Sequence, residues 1–366
     1  VRVQESRTAR LVLEDGHVLT GRSFGAPVSA AGEVVFTTGM VGYPESLTDP
    51  SYEGQILTLT FPSIGNYGVP GDDPGEFGLP RSLESGRIHV SGLVVADYSP
   101  AYSHWEAVRS LSAWLKAHGV PAILEVDTRA LTRRLRVHGT MLGKLEVEGD
   151  PGWFDPASEN LVARVGRGRA GVLGEGGDPR LLVLDCGVKN NILRCLLRRG
   201  AALTVVPWDT DPAGIPHDGL VLTNGPGDPT RCEATIRHLA AALERGTPIF
   251  GICLGCQLLA LAAGAATFKL PFGHRGQNQP VTDTGTRRCY VTSQNHGYAV
   301  DARTLPEDWE VWFLNANDGT AEGIRHRSRP FSAVQFHPEA SCGPVDTAYL
   351  FDRFLAQVRA HKEGRS

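Results

Sequence analysis

Two rhythms of apolar and polar positions run along this chain, and the change from one to the other predicts two domains. Over the first 165 residues, short alternating runs punctuated by Gly, Pro, Asn and Asp predict strands at 11–13, 17–19, 33–37, 56–61 and 90–95, the first two joined through an Asp15-Gly16 turn. Trp105, Val108, Leu111 and Leu115, spaced by three and four, predict a helix over 104–118, and a second follows over 128–137. This is the pattern of a β-rich α+β domain. The stretch GRGRAGVLGEGG at 166–177 holds six glycines and little to bury, which predicts a flexible connector. From 178 to 366 the rhythm becomes strand then helix. RLLVLDC, ALTVVPW, GLVLTN and TPIFGIC read as buried strands, with NNILRCLLRRG, TIRHLAAALERG and LGCQLLALAAG as amphipathic helices among them. Such alternation predicts an α/β domain with an open, mostly parallel sheet flanked by helices. Shorter strands at 288–291, 310–314 and 331–336 and a helix over 347–360 complete it.

Composition narrows the function classes. Hydrophobic residues at 41% and charged residues at 21% of 366 supply enough apolar material for two cores. Thirty-six basic against forty acidic residues leave a formal charge of −4, which gives no global electrostatic reason to expect nucleic acid or an anionic membrane as partner. The longest strongly apolar stretch, 258–266, falls short of the roughly 18 residues a membrane span needs. The first residues interleave charge with short apolar pairs, unlike a secretory signal, so a cytoplasmic location is expected. Seven cysteines, all in the second half, suit reduced thiols better than a disulfide framework.

The sharpest local feature is TPIFGICLGCQLLALAAG. A strand ending at Ile252 runs almost directly into a helix, with Gly251 and Gly255 allowing the tight turn, so Cys253 is expected at a nucleophile elbow above the carboxyl edge of the sheet. A thiol at a helix start meets unpaired N–H groups and the positive end of the helix dipole, which favour the thiolate. The N–H of Leu254 is then placed to stabilise an oxyanion. Two readings compete: a buried cysteine acting as a small hydrophobe, and Cys253-Leu254-Gly255-Cys256 as a CxxC redox or zinc pair. Zinc needs further ligands, and no second CxxC or closely spaced HxxxH accompanies this one, so no metal is expected. SAVQFHPEA, 84 residues downstream of the elbow, supplies His337 as a base and Glu339 as the carboxylate to orient it. Asn224-Gly225-Pro226-Gly227-Asp228-Pro229 follows another strand end, where N–H groups approach a ligand without Cβ obstruction; no GK[ST] follows, so it is not a phosphate loop. SQNHGYAV at 293–300 reads equally as a hairpin tip or a polar site segment.

These residues carry a resemblance. GICLGCQ, QFHPE, NGPGDP and NHGYAV resemble the motifs of class I, triad-type glutamine amidotransferases. EDGHVLTGRSFGA, the GEVVFTTGMVGYPESLTDPSYEGQILTLTFPSIGNYG stretch and EVDTRALTRRLRVHGT are similar to the N-terminal domain of the small subunit of glutamine-hydrolysing carbamoyl-phosphate synthetase. The resemblance implies an N-terminal small-subunit domain over 1–165, a linker over 166–177 and an amidotransferase domain over 178–366. It implies Cys253 as nucleophile, His337 as general acid/base and Glu339 as its orienting partner. L-glutamine would be held by Ser51, Gly225, Gly227, Leu254, Gln257, Asn295, Gly297 and Tyr298. Most members carry His where this chain has Cys256, which leaves the triad intact. The implied partner is a large subunit that holds ATP and Mg²⁺ and makes carbamoyl phosphate for arginine and pyrimidine synthesis. No cofactor is expected on this chain. The rival roles are an amidotransferase subunit of another synthetase and a non-catalytic or redox CxxC subunit.

Overall fold

The computed structural model describes residues 7–364. They form two units, one taking in residues up to Asp73 and Pro80–Glu159, the other Pro74–Leu79 and Asn160 onward.

The first unit is built on a closed barrel of seven strands: Thr8–Leu13, Met141–Glu146, Ala30–Thr37, Gln55–Leu59, Gly92–Val94, Ala122–Leu124 and Val18–Ser23, the last pairing back to the first. Alternation in Thr8–Leu13 turns Ala9, Leu11 and Leu13 inward, and Leu11 sits opposite Leu145 on one side and Leu19 on the other. The helix Thr128–His138 matches the expected span; the Asp127 carboxylate accepts from Ala130 N at 2.8 Å and caps it. The expected helix over 104–118 is shorter, Leu111–Ala117. Ser110 caps its start by accepting from Ala113 N, and only Leu111, Trp114 and Leu115 reach the core. Trp105 and Val108 are 81% and 61% exposed, and Ala107–Arg109 forms a strand against Val69–Pro70. Their helical spacing is coincidental because no burial enforces it.

The second unit is a ten-stranded sheet. Its order is Gly171–Leu173, Ala202–Pro207, Arg180–Asp185, Gly219–Leu222, Ile249–Ile252, Phe331–Val334, Ala321–His326, Cys289–Asp301, Ala266–Asp283 and Trp309–Asn315. The five strands from Ala202–Pro207 to Phe331–Val334 are mutually parallel, and in chain order they run second, first, third, fourth, fifth. The order reverses between Arg180–Asp185 and Gly219–Leu222, so the loops after those strands diverge and open a crevice at the carboxyl edge. Apolar residues line both faces, one packed by Asn190–Leu197 and the C-terminal helix Tyr349–Glu363, the other by Glu233–Arg245 and Leu254–Ala262.

Three readings are corrected here. The stretch 166–177 is not a flexible connector, because Gly171–Leu173 pairs antiparallel with Ala202–Pro207 at the sheet edge. Three of its six glycines, Gly166, Gly174 and Gly177, serve close approach: a Cβ at Gly177 would lie 2.6 Å from Gly200 O. The division between units falls after Glu159, since Leu161 and Val162 are already buried in the second unit. SQNHGYAV is not a hairpin tip; it lies within the long strand Cys289–Asp301, with Asn295 paired to Arg275 and His296 to His274.

Candidate active site

The bend between Ile249–Ile252 and the helix Leu254–Ala262 is one residue long, and that residue is Cys253. Its φ of 55° and ψ of −104° put a non-glycine residue in a region that costs roughly 1–3 kcal/mol, and the surrounding contacts hold it there. Cys253 N donates to Val334 O of the neighbouring strand at 2.8 Å, while Cys253 O accepts from Cys256 N at 3.0 Å as the helix begins. Closure of the bend depends on its glycines. A Cβ at Gly251 would lie 2.5 Å from Gly255 O, and one at Gly255 would lie 2.3 Å from Leu222 O. Gly255→Ala is therefore expected to lower unfolding stability by about 1–3 kcal/mol, as overpacking does, read as a lower urea midpoint at unchanged slope.

The Cys253 Sγ lies 3.6 Å from Asn295 O, and the residue is 2% exposed. His337 arrives just beyond the end of Phe331–Val334, where its N donates to Ser293 O at 2.9 Å. Its Nδ1 lies 2.6 Å from Glu339 Oε1. Its Nε2 is buried with no hydrogen-bond partner among the described residues, and Cys253 is close enough for its charge to act on the ring. The sheet thus brings Cys253, His337 and Glu339 together from two adjacent strand ends.

A fourth group joins them. Lys189 Nζ bonds Glu339 Oε1 at 3.0 Å and Ala340 O at 2.7 Å, and both side chains of the ion pair are buried. Asn191 Nδ2 donates to Glu339 O at 2.5 Å. Burial opposes ionisation of Glu339, but Lys189 and His337 outweigh it and hold the carboxyl down at about 2. Burial likewise opposes charge on His337, but Glu339 and then Cys253 outweigh it and push the imidazole up to about 10.

These shifts fix a pH window for stability. The Glu339 contribution is whole above its ordinary 4.5 and is lost as pH falls toward 2. The His337 contribution is whole below its ordinary 6.5 and is lost as pH rises toward 10. Both are intact together only between about pH 4.5 and 6.5. The stability deficit of Glu339→Gln should accordingly be largest near pH 5.5 and shrink by pH 10, followed by urea denaturation at both. An equal deficit at the two pH values would mean that these groups do not titrate as a linked pair.

The residues expected to hold glutamine are placed as follows. A Cβ at Gly225 would lie 2.2 Å from Cys186 O and 2.8 Å from Leu254 Cδ2, so only glycine lets this loop come so near the elbow. Gly227, with φ of 85°, follows in the same loop. Leu254 is the first residue of the helix, and Asn295, Gly297 and Tyr298 lie on Cys289–Asp301. Gln257 is turned inward, its Nε2 donating to Tyr298 O at 2.9 Å and Gln335 Oε1 at 3.1 Å. Ser51 lies in the first unit, in the short turn Pro50–Tyr52.

Sequence reasoning missed Lys189 and a polar network behind the strand 289–301. The signal for Lys189 was a lone lysine at the carboxyl end of a buried parallel strand, at the point where strand order reverses. In the network, His274 bridges two carboxylates, Nδ1 to Glu322 Oε1 at 3.1 Å and Nε2 to Asp318 Oδ2 at 2.8 Å. Asn315 Nδ2 also bonds Glu322 Oε1, at 2.9 Å, and His296 Nδ1 bonds Tyr298 O at 2.8 Å. His274, His296 and Glu322 place ligand-type atoms within 4.8 Å of one another, but those of His274 are engaged by carboxylates. Cys256 is buried, and burial pushes its thiol well up, leaving it a neutral core group.

Comparison with known proteins agrees with this reading of the fold. Residues 182–357 match the family model for glutamine amidotransferase class-I, and residues 11–145 the model for the carbamoyl-phosphate synthase small chain, CPSase domain. The carbamoyl phosphate synthase arginine-specific small chain of Neosartorya fischeri is 49% identical over 379 residues, spanning 100% of this chain and 83% of that one. This chain belongs to the carbamoyl-phosphate synthase small-chain family. Longer proteins contain the same region. The multifunctional protein CAD of Squalus acanthias and the mitochondrial carbamoyl-phosphate synthase [ammonia] of Homo sapiens are each 50% identical over 362 residues. This chain spans 16% and 24% of their respective lengths. Among the described residues, no helix is long and apolar enough to cross a membrane.

Proposed function

We propose that this small chain hydrolyses L-glutamine and delivers the ammonia to a large synthetase subunit that forms carbamoyl phosphate. The observation that carries the reading is Cys253, held in a left-handed elbow within reach of an imidazole that is itself fixed by a buried Glu339–Lys189 pair. The name of the human relative specifies ammonia, so overall similarity does not choose the nitrogen source. The set Cys253, His337 and Glu339 favours glutamine.

In this mechanism Cys253 Sγ attacks the side-chain amide carbon, and the oxyanion is met by the N–H of Leu254 and the Gly225 loop. His337 gives its proton to the amide nitrogen, the C–N bond breaks, and ammonia leaves a glutamyl thioester on the sulfur. His337 then takes a proton from water, hydroxide adds to the thioester, the C–S bond breaks, and glutamate departs. Gly227, Gln257, Asn295, Gly297 and Tyr298 orient the substrate. Ammonia in bulk water near neutral pH is mostly ammonium, which has no lone pair to attack with, so a sheltered route to the partner is part of the proposal. ATP and Mg²⁺ act on the large subunit, and this chain uses no cofactor. Likeness to arginine-specific small chains supports arginine synthesis as one destination.

An electrophilic chloroketone analogue of glutamine should add one equivalent to the chain, with the peptide map placing it on Cys253. Modification spread over the other cysteines would overturn the reading.

A further inference from the structure

At the amino end of Phe331–Val334, away from the elbow, the sheet and the helix Tyr349–Glu363 enclose a groove of about 550 Å³. Arg325, Arg327, Arg329 and Arg353 line it together with Ser332 and Gln357. Glu310 is the single carboxylate among the residues lining it, so four guanidiniums against one carboxylate leave a formal surplus of three positive charges. The chain as a whole carries −4, so this is a local reversal of sign.

The arginines are held rather than waving in solvent. Glu310 is shared, Oε1 with Arg325 Nε at 2.6 Å and Oε2 with Arg327 Nη1 at 2.8 Å. The guanidinium carbons of Arg353 and Arg325 lie 4.6 and 5.7 Å from the centre of the Trp312 ring. Arg329 lies 5.3 Å over Phe331, and its Nη2 donates to Glu244 O at 3.1 Å. A guanidinium laid on an aromatic face keeps its in-plane N–H fork available for a planar or tetrahedral anion. Among the described residues, no hydrogen bond or ion pair to the protein occupies Arg353. Of the nearby carboxylates, Asp352 is engaged away from the groove with Arg199 at 2.8 Å, and Asp308 is held by the groove-lining His326 at 3.0 Å.

We infer that this groove is an anion-binding site for an oligophosphate, recognised through its phosphate groups. The fork geometry and the surplus charge suit an anion with several charges. Trp312 and Phe331 are 1% and 2% exposed, so no open ring is offered for a nucleobase to stack on. Five residues of extended chain, about 17 Å, separate Ser332 from His337, so an occupant here does not compete with glutamine. The inference is independent of the glutaminase reading.

The test is calorimetric titration of the full chain with sodium triphosphate and, separately, with ATP. One saturable site is expected for each, with affinities within about threefold of one another and falling as salt is raised. Arg329→Gln with Arg353→Gln should weaken both by at least about tenfold. Labelling of Cys253 by the glutamine analogue and the circular dichroism spectrum should be unchanged in that variant. Arg353→Lys, which keeps charge but loses the fork, should recover only part of the affinity. Absence of a saturable site, or equal affinity in the double variant, would overturn the inference. So would ATP binding more than tenfold tighter than triphosphate, or a polyglutamate peptide binding tighter than either, since the groove would then read a base or dock a protein.

Discussion

Cys253→Ser should reduce glutamine hydrolysis by at least ~10⁴-fold, the order seen when a covalent nucleophile is removed from a fixed triad. The complex assembled with a large subunit should still make carbamoyl phosphate when ammonia is supplied. The substitution changes one buried atom at a residue that is 2% exposed, so the elbow keeps its backbone bond to Val334 and the fold is retained. What is lost is chemical. A serine hydroxyl ionises far less readily than a thiol, and His337, still raised by Glu339, is poised to hold a proton rather than to pull one from an alcohol. The arrangement suits a sulfur nucleophile whose proton the imidazole keeps and then passes to the departing nitrogen. The measurement is glutamate release from glutamine beside carbamoyl phosphate formation from ammonium chloride. If the variant loses both activities, the sulfur has a structural role and the thioester route fails. If it loses neither, Cys253 is not the nucleophile.

The parts of the site that were legible in the sequence share a property: their signal is local. Gly251 and Gly255 flank Cys253 within five residues, so the tight bend could be read before any tertiary structure was known. His337 and Glu339 are two residues apart after an apolar strand, close enough for one motif to hold both. The strands of the first unit were also legible, but closure of its barrel was not. Closure depends on Thr8–Leu13 pairing with Met141–Glu146 across well over a hundred residues, which no short pattern encodes. The error at 166–177 came from reading glycine as flexibility. At Gly177 its use is contact, where a neighbouring backbone leaves no room for Cβ. The error over 104–118 came from counting Trp105 and Val108 as a buried face when both point to water. Lys189 escaped for the same reason as the barrel: its partner, Glu339, is 150 residues away.

That lysine carries the second large expectation. Lys189→Met keeps an unbranched apolar stem of nearly the same length and removes the charge together with the hydrogen bonds to Glu339 and Ala340. Glu339 would then remain buried beside His337, the other charge that holds its carboxyl down, while its Oε2 already has no hydrogen-bond partner among the described residues. Breaking a buried pair by deleting one member costs about 3–5 kcal/mol, because the remaining charge is left without compensation. Lys189 Nζ also bonds Ala340 O at 2.7 Å, and Ala340 has a φ of 53°, so the lysine helps hold a strained backbone directly behind the triad. Glutamine hydrolysis should therefore fall about 100-fold, a size typical of losing the group that orients a catalytic base. The two effects are separable. Without Lys189 the folded Glu339 carboxyl must rise from about 2, since the largest favourable charge beside it is gone. As it protonates, its hold on His337 weakens, so the acid limb of the kcat/KM profile should move to higher pH in the variant. A lower rate with an unmoved acid limb would mean that Lys189 only props the backbone. A displaced limb makes it the electrostatic anchor through which Glu339 stays charged and His337 stays oriented.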